Sequence, residues 1–226
     1  QLTSFRGNPV RFLSASSDDK LCFGYDGEIY TLVAGGQPKK VNIQIVADKN
    51  DRNLVRQINS SGATEISVSP SGKEVAFVMH GDVYVTSVEY RTTKRLTDTP
   101  EQERDICFAP DGRSVVYASE RGGVWQIYAT SIKDKDEKSF AYATELTEER
   151  LTNNNITSQM PKYSPDGKMV AYFEDRGDLR VIDVKSKDIT TVLEGKNNYS
   201  YSDGDLWFEW SPDSKWLMSS YMGGGG

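Results

Sequence analysis

A short turn motif occurs five times in this 226-residue chain and limits the folds that the chain can adopt. Each copy begins with Ser or Ala, usually continues with Pro, and ends with Lys or Arg. The copies occupy 16–20, 69–73, 109–113, 164–168 and 211–215. Proline sets the first turn torsion, and Asp, Ser or Gly suit the later positions, so each copy predicts a tight β-turn. The copies start 53, 40, 55 and 47 residues apart, a spacing typical of propeller blades of about 40 to 50 residues.

Each turn lies between two segments rich in β-branched and aromatic residues, and in four copies a Gly-containing hairpin and further strand segments follow. Four antiparallel strands per repeat predict an all-β fold, a β-propeller of four-stranded antiparallel blades. The predicted blades occupy about 10–45, 63–98, 104–153 and 159–194, and a partial blade occupies 205–222. The residue before each turn is apolar, and we expect this column to lie in the core: Ala15, Val68, Phe108, Tyr163 and Trp210.

The two ends of the sequence resemble parts of blades. Residues 1–3 match the end of an outer strand, and the chain stops after the second strand of its fifth repeat. We therefore expect an incomplete propeller over 1–222, with four full blades, partial blades at both ends and self-association through open blade edges. A closed ring, in which residues 1–3 complete the last blade, is the alternative. Residues 223–226 are a glycine tail that says nothing about function. We expect helices only within 46–62 and 133–149.

Composition excludes several classes of function. The chain has 27 Lys and Arg against 33 Asp and Glu, a formal charge of -6 and no basic run, so we expect no binding to nucleic acid. Its apolar stretches are far shorter than the roughly 20 residues that span a bilayer, so we expect no membrane insertion. With two cysteines and one histidine, zinc clusters are excluded, and we expect no metal and no cofactor.

Three parts of the repeat resemble the repeats of TolB-like propellers: the Ser-Pro-Asp-Gly-Lys turn at 164–168, the third strand Asp-Val-Tyr-Val at 82–85 and the outer strand Arg-Leu-Thr at 95–97. Other segments resemble, more narrowly, the amino-terminal propeller of bacterial tricorn-like serine peptidases. These segments are 25–30, 63–65, 99–104, 142–146 and 199–205. This second resemblance implies a longer, exported, periplasmic polypeptide whose PDZ-like module and peptidase domain follow the propellers.

The sequence departs from the repeat pattern at three places. The glycine of the turn is replaced by Asp19 in the first copy and by Ser214 in the last, which leaves the geometry of those two turns open. Arg180 stands where the third strands of the other blades carry Tyr.

In propellers of this kind, the hairpins between second and third strands share one rim with the connections between blades, and this rim is the usual binding face. We expect a peptide-binding rim there that includes His80, Arg121, Arg176, Tyr199, Tyr201, Asp203, Asp205 and Trp207. The acidic, aromatic stretch 199–210 suits a recognition loop, whose rings stack and whose carboxylates attract a peptide amine. The alternative is that Trp207 and Trp210 only pack between blades.

The sequence predicts no catalytic residues in this segment. The only imidazole, His80, lies on a predicted hairpin tip, and the serines of the motif recur in a structural turn. The leading hypothesis is a non-catalytic propeller segment of a tricorn-like serine peptidase, which gates, docks or scaffolds peptides or the downstream domains of the same polypeptide. The alternative is a TolB-like protein-interaction module of the cell envelope with no peptidase attached. An enzyme with its site on the propeller rim is the third hypothesis.

Overall fold

The computed structural model describes residues 2–7, 9–43, 58–90, 92–175, 177–197 and 206–220. The chain divides into two compact units, residues 1–58 and residues 59–226. Each unit consists of antiparallel sheets whose strands follow one another in chain order.

The first unit holds one four-stranded sheet. Its strands are β1 (Arg11–Ala15), β2 (Leu21–Tyr25), β3 (Glu28–Leu32) and β4 (Lys39–Lys40). Its small core contains Phe23 and Leu32. The ring of Phe5 stacks on Tyr25 at 4.1 Å.

The second unit holds three four-stranded sheets and a terminal hairpin. The second sheet of the chain consists of β5 (Ala63–Val68), β6 (Glu74–Met79), β7 (Asp82–Ser87) and β8 (Thr93–Arg95). The third sheet consists of β9 (Glu103–Phe108), β10 (Ser114–Ser119), β11 (Gln126–Ile132) and β12 (Leu146–Arg150). The fourth consists of β13 (Ser158–Tyr163), β14 (Met169–Glu174), β15 (Asp178–Asp183) and β16 (Ile189–Leu193). The hairpin pairs β17 (Phe208–Trp210) with β18 (Leu217–Ser219). The predicted all-β fold of four-stranded antiparallel blades is confirmed.

The core of the second unit lies between successive sheets. One apolar cluster joins the second and third sheets, another joins the third and fourth, and another joins the fourth sheet to the terminal hairpin. The expectation that the residue before each turn is buried is right for Phe108 but wrong for Ala15, which is exposed, and for Val68, which is 57% exposed. Val68 lies on the first strand of this unit, and only one face of its sheet packs on another sheet of the unit.

The few helical residues form short 3-10 turns. Phe140–Tyr142 lies within the predicted range 133–149, whereas Arg121–Gly123 and Gly195–Asn197 lie outside both predicted ranges. The prediction that helices are confined to those ranges is therefore wrong, and most of 46–62 lies outside the described residues. The connection between β10 and β11 is longer than a two-residue hairpin, and Gly122 and Gly123, both with φ of 78°, provide the left-handed backbone that it requires.

The five repeated turns share one backbone conformation. Their fourth residue takes a positive φ, at Gly72, Gly112 and Gly167 as well as at Asp19 (56°) and Ser214 (60°). Aspartate tolerates this region better than most residues, and the Ser214 hydroxyl accepts a hydrogen bond from the Asp166 backbone N–H at 3.0 Å. Loss of the glycine therefore leaves the turn geometry unchanged.

We expect the glycine of the turn to have a second role, which is to leave room for the proline of the preceding sheet. Three alanine variants separate this role from the requirement for a positive φ. Gly72, Gly112 and Gly167 have φ of 69°, 71° and 73°. A Cβ would meet nothing within 4 Å at Gly72, Pro70 Cδ at 3.7 Å at Gly112, and Pro110 Cγ at 3.2 Å at Gly167. Backbone strain should cost about 1 to 2 kcal/mol in every variant, and Gly167→Ala should cost the most because the proline of the preceding sheet must move. Urea unfolding of the three variants measures this order, and equal losses would rule out the inter-sheet contact.

Candidate functional site

The second unit has two ends with different local structures. The repeated turns lie at one end, which we call the turn end. At the opposite end the first strand of each sheet begins, the second strand turns into the third, and the outer strand leads to the next sheet. We call this the hairpin end, and its described residues are 80–82, 98–104, 119–126, 151–159, 174–175, 177–178, 194–197 and 206–207.

Backbone hydrogen bonds join the hairpin of the second sheet to that of the third. His80 is exposed at its tip with φ of 54°, and the next carbonyl, that of Gly81, accepts the N–H of Glu103 at 2.7 Å. The carbonyl of Gln102 accepts the N–H of Glu120 at 3.0 Å. The hairpin of His80 and the turn that starts at Arg121 are therefore held on either side of the crossover 98–103.

Arg121 is held within the third sheet. Its Nη2 donates to Glu148 Oε1 at 2.7 Å and lies 3.7 Å from Glu103 Oε1, and the guanidinium stacks 4.5 Å from the centre of the Tyr128 ring. Hydrogen bonding to Glu148 raises the pKa of Arg121 above its usual range. With 19% of its side chain exposed, Arg121 sets the position of the hairpin and leaves little surface for a peptide.

Glu103 is the buried carboxylate beneath this hairpin. Its side chain is 0% exposed, and Oε1 accepts the hydroxyls of Thr99 at 3.0 Å and Ser119 at 2.8 Å. Burial raises the pKa of the Glu103 carboxyl, and these hydroxyls and the Arg121 charge oppose the shift. Thr99 and Ser119 belong to the crossover and to the end of β10, so Glu103 connects the two.

The raised pKa predicts how Glu103 affects stability. The folded state binds the proton more tightly than the unfolded chain, so protonation of Glu103 stabilises the fold. This stabilisation is fully present below the unfolded pKa and is lost as pH rises through the folded pKa. The wild-type free energy of unfolding, minus that of Glu103→Gln, should therefore increase from neutral pH towards pH about 4.3, the ordinary glutamate pKa. Urea titrations at several pH values measure this difference.

Asp178 provides the opposite control. The backbone N–H of Gly195 donates to Asp178 Oδ1 at 2.5 Å and lowers the pKa of that carboxyl. Its contribution is present above the unfolded pKa and is lost as pH falls through the folded pKa, so the difference between wild type and Asp178→Asn should decrease on acidification. If the difference in unfolding free energy between wild type and variant changed with pH in the same direction for Glu103→Gln and Asp178→Asn, the raised pKa of Glu103 would be contradicted.

The fourth sheet has a different polar cluster at the same end. Arg180 Nη2 lies 2.9 Å from Oε2 of the buried Glu174 and 3.1 Å from Asp178 Oδ2. The Asn154 side-chain amide donates to Glu174 Oε1 at 2.7 Å. Arg180 occupies the position of the third-strand tyrosine of the other sheets and pairs across the strands with Tyr172. The departure at residue 180 thus replaces an aromatic pair by ion pairs.

Carboxylates also connect the inner strands of neighbouring sheets. Glu65 Oε2 on β5 accepts the backbone N–H of Asp105 at 2.6 Å, and Asp105 Oδ2 on β9 accepts the N–H of Met160 at 2.9 Å. Asp105 and Met160 both have positive φ where the register of their strands shifts. A bulge leaves backbone groups unpaired within the sheet, and the carboxylate of the preceding sheet satisfies them.

The structure brings together some of the rim residues expected from sequence. His80 and Arg121 lie on either side of one crossover, and Trp207 is 43% exposed beside Lys162, whose Nζ lies 5.8 Å from its ring centre. The other expected residues lie outside the described part: Arg176, Tyr199, Tyr201, Asp203 and Asp205. Sequence reasoning missed Glu103, Glu148 and Glu174. Glu174 is a charged residue at the end of the apolar strand β14, which was the available signal for it.

Two further findings concern ions and membranes. Among the residues that the structure describes, no group of three or more His, Cys, Asp or Glu side chains is arranged to hold a metal ion. No helix in those ranges has the length and apolar character needed to cross a membrane.

The chain is similar to known TolB proteins in sequence. The Tol-Pal system protein TolB of Francisella tularensis subsp. tularensis (strain WY96-3418) is 24% identical over 205 residues, an alignment that covers 85% of this chain and 42% of that protein. TolB of subsp. mediasiatica (strain FSC147) matches over the same extent. The chain therefore spans about two fifths of the length of these curated relatives.

Solved structures show the same fold. A structure of a protein assigned as TolB from Agrobacterium tumefaciens has a TM-score of 0.51 at 18% identity, covering 98% of this chain and 78% of that one. The β-propeller domain of Cps50 (Swd1) from Myceliophteria thermophila has a TM-score of 0.52 at 13% identity, covering 98% and 65%. At these identities the likeness extends to the fold alone. The family model described as TolB beta propeller domain matches residues 28–225, most of the sequence, and the chain therefore belongs to this family.

Proposed function

We propose that this chain is a TolB-like interaction module that binds partner proteins in the cell envelope. The observation that carries the proposal is the match of the TolB beta propeller domain to residues 28–225. Binding residues commonly lie on loops that a rigid scaffold positions, and here the hairpin end is such a surface. Its loops are fixed by the hydrogen bonds of Glu103, Arg121 and Glu174.

The binding surface in this proposal is the hairpin end. Among the described residues of this end, His80 and Trp207 have exposed aromatic rings, and rings of this type supply contact area at low entropic cost. Arg121 acts as a positioning residue because Glu148 and Tyr128 occupy its guanidinium. Arg176, Tyr199, Tyr201, Asp203 and Asp205 complete the proposed rim by their place in the sequence.

The proposed location is outside the cytoplasm, in the periplasm. The support is that the relatives named above are Tol-Pal system proteins and that the sequence resembles exported propellers. Attachment to a tricorn-like serine peptidase, with gating or docking of peptides for downstream domains, ranks below this proposal. The matching family model and the named relatives are TolB proteins and do not support a peptidase.

Site-specific photo-crosslinking in living cells tests the proposal. A photoreactive amino acid is placed in the full protein at His80 or Asp175 on the hairpin end, and at Ser71 or Lys168 on the turn end as matched controls, all four being exposed. We expect discrete crosslinks to an envelope protein from the first pair only. Crosslinks restricted to the turn end, or to cytoplasmic proteins, would contradict the proposal.

A further inference from the structure

The outer strand of the fourth sheet, β16, differs from the other outer strands in its charge. The edge of a sheet carries unpaired N–H and C=O groups that can pair with another chain, and charged side chains on the edge oppose such pairing. Among the outer strands of the described four-stranded sheets, β4, β8 and β12 all contain charged residues, in the sequences KK, TKR and LTEER. The sequence of β16 is ITTVL, which has no charge, and its first four residues are exposed. This edge therefore lacks the protection that the other edges have.

The pairing of β16 with β15 determines which backbone groups of this edge face outwards. The carbonyl of Asp188, the residue before β16, accepts the N–H of Asp183 at 2.9 Å. Successive residues of an antiparallel strand direct their N–H and C=O groups to opposite edges. The backbone groups of Thr190 therefore face β15, and those of Ile189 and Thr191 face away from the sheet.

The outward edge is short, uncharged and β-branched. The register of β16 on β15 shifts between Thr191 and Leu193, so the regular part of the edge is 189–191. Ile189 is 42% exposed and Val192 is 51% exposed. Outward N–H and C=O groups that alternate along an edge are matched by the main chain of another extended segment. The chemistry of the edge thus favours an extended, uncharged strand as its partner.

We propose that this edge pairs with the same edge of a second copy of the chain, as an antiparallel dimer with a twofold axis. The inference goes beyond the proposed function, because it uses the outer side of one sheet and not the hairpin end. In the dimer, Ile189 of each copy exchanges N–H···O bonds with Thr191 of the other copy, and the two Thr190 side chains lie directly opposite each other. Threonine pairs across neighbouring strands stabilise a sheet.

Charge is the reason that β16 suits a second copy of itself. In an antiparallel pair centred on the middle of β12, Glu148 would lie opposite Glu148 of the second copy. The same pairing of β8 would place Lys94 opposite Lys94, and β4 consists of two lysines. Like charges directly opposite each other destabilise a strand pair. Self-pairing over 189–191 brings together only isoleucine and threonine, so among the described outer strands β16 is the one that can pair with itself without repulsion.

Sedimentation equilibrium of the full protein measures the dimer. Strands of this length bury much less than the roughly 1,200 Å² of a stable interface, so we expect a dissociation constant on the order of 0.1 mM. Thr191→Pro removes an outward N–H at an edge position where proline is tolerated, and it should weaken dimerisation at least about tenfold. Thr191→Val keeps that N–H and should change dimerisation less than about twofold. A protein that stays monomeric up to about 1 mM, or equal effects of the two variants, would overturn the proposal.

Disulfide crosslinking of the full protein tests the position of the twofold axis. Residues that lie opposite each other without a shared hydrogen bond have Cα atoms about 4.5 Å apart, a distance that a disulfide can span. Under mild oxidation by copper phenanthroline, Thr190→Cys should form covalent dimers. Thr147→Cys, at an exposed position of β12, and the wild type with its two native cysteines are the controls. Equal crosslinking of Thr190→Cys and the controls would reject β16 as the interface and would leave the proposed function unaffected.

Discussion

Replacing Phe140 by alanine is expected to destabilise the second unit by about 3 to 5 kcal/mol. Phe140 is fully buried and packs edge to face on Phe108, with ring centres 6.0 Å apart. It belongs to the connection 133–145, which leaves the third sheet and inserts this ring into the core shared with the second sheet. Urea unfolding measures the loss as a lower midpoint at unchanged denaturant slope.

Tyr142 is the matched control for this variant. It lies in the same short helical turn but is 59% exposed, and it contacts only the ring of Tyr90 edge to face at 5.9 Å among the aromatic contacts of the described residues. Tyr142→Ala should therefore cost less than about 1 kcal/mol. Similar losses for the two variants would show that Phe140 does not hold the connection in place.

Replacing Glu74 by alanine is expected to cost about 3 kcal/mol. The Glu74 carboxylate is buried and accepts the hydroxyl of Ser139 at 2.8 Å and the backbone N–H groups of Phe140 at 3.2 Å and Ala141 at 2.8 Å. Alanine leaves two buried N–H donors without an acceptor, each at about 1 to 3 kcal/mol. Glu74→Gln retains one acceptor oxygen and should lose less, as measured by the same urea titration.

A double-mutant cycle tests whether Glu74 and Phe140 act on the same element. Both hold the connection 133–145, so once either is removed the other has less structure to stabilise. The double variant should be less destabilised than the sum of the single variants by at least about 1 kcal/mol. Strict additivity would mean that the carboxylate and the ring act independently.

The fold was predictable because the information for its turns is local. Each turn depends on consecutive residues such as Ser164–Lys168, in which the Ser164 hydroxyl accepts the N–H of Met169 at 3.0 Å. The contact between Glu74 and the connection 133–145 joins residues more than 60 positions apart. No repeat pattern in the sequence predicts this contact. The prediction that the residue before each turn is buried is wrong at Val68, because burial depends on the neighbouring sheet and not on the strand's own pattern.

The candidate site was predictable only in outline. Gly81 and the alignment of the repeats place His80 on a hairpin tip, as the structure shows. The position of Arg121 was equally clear, but its partner Glu148 lies 27 residues further on, and only the pairing of β11 with β12 brings that carboxylate within reach. Turn chemistry thus predicts where a residue lies, whereas tertiary contacts decide whether its charge remains available.

Hydrogen exchange of the full protein, with and without its crosslinked partner, tests most directly the claim that the hairpin end is the binding surface. Amide exchange is followed at peptide resolution with the partner at saturating concentration. We expect slower exchange on binding in residues 98–104, 119–126 and 151–159, with no change in the repeated turns at 69–73 and 109–113. Protection of those turns, with unchanged exchange at the hairpin end, would show that the hairpin end is not the binding surface.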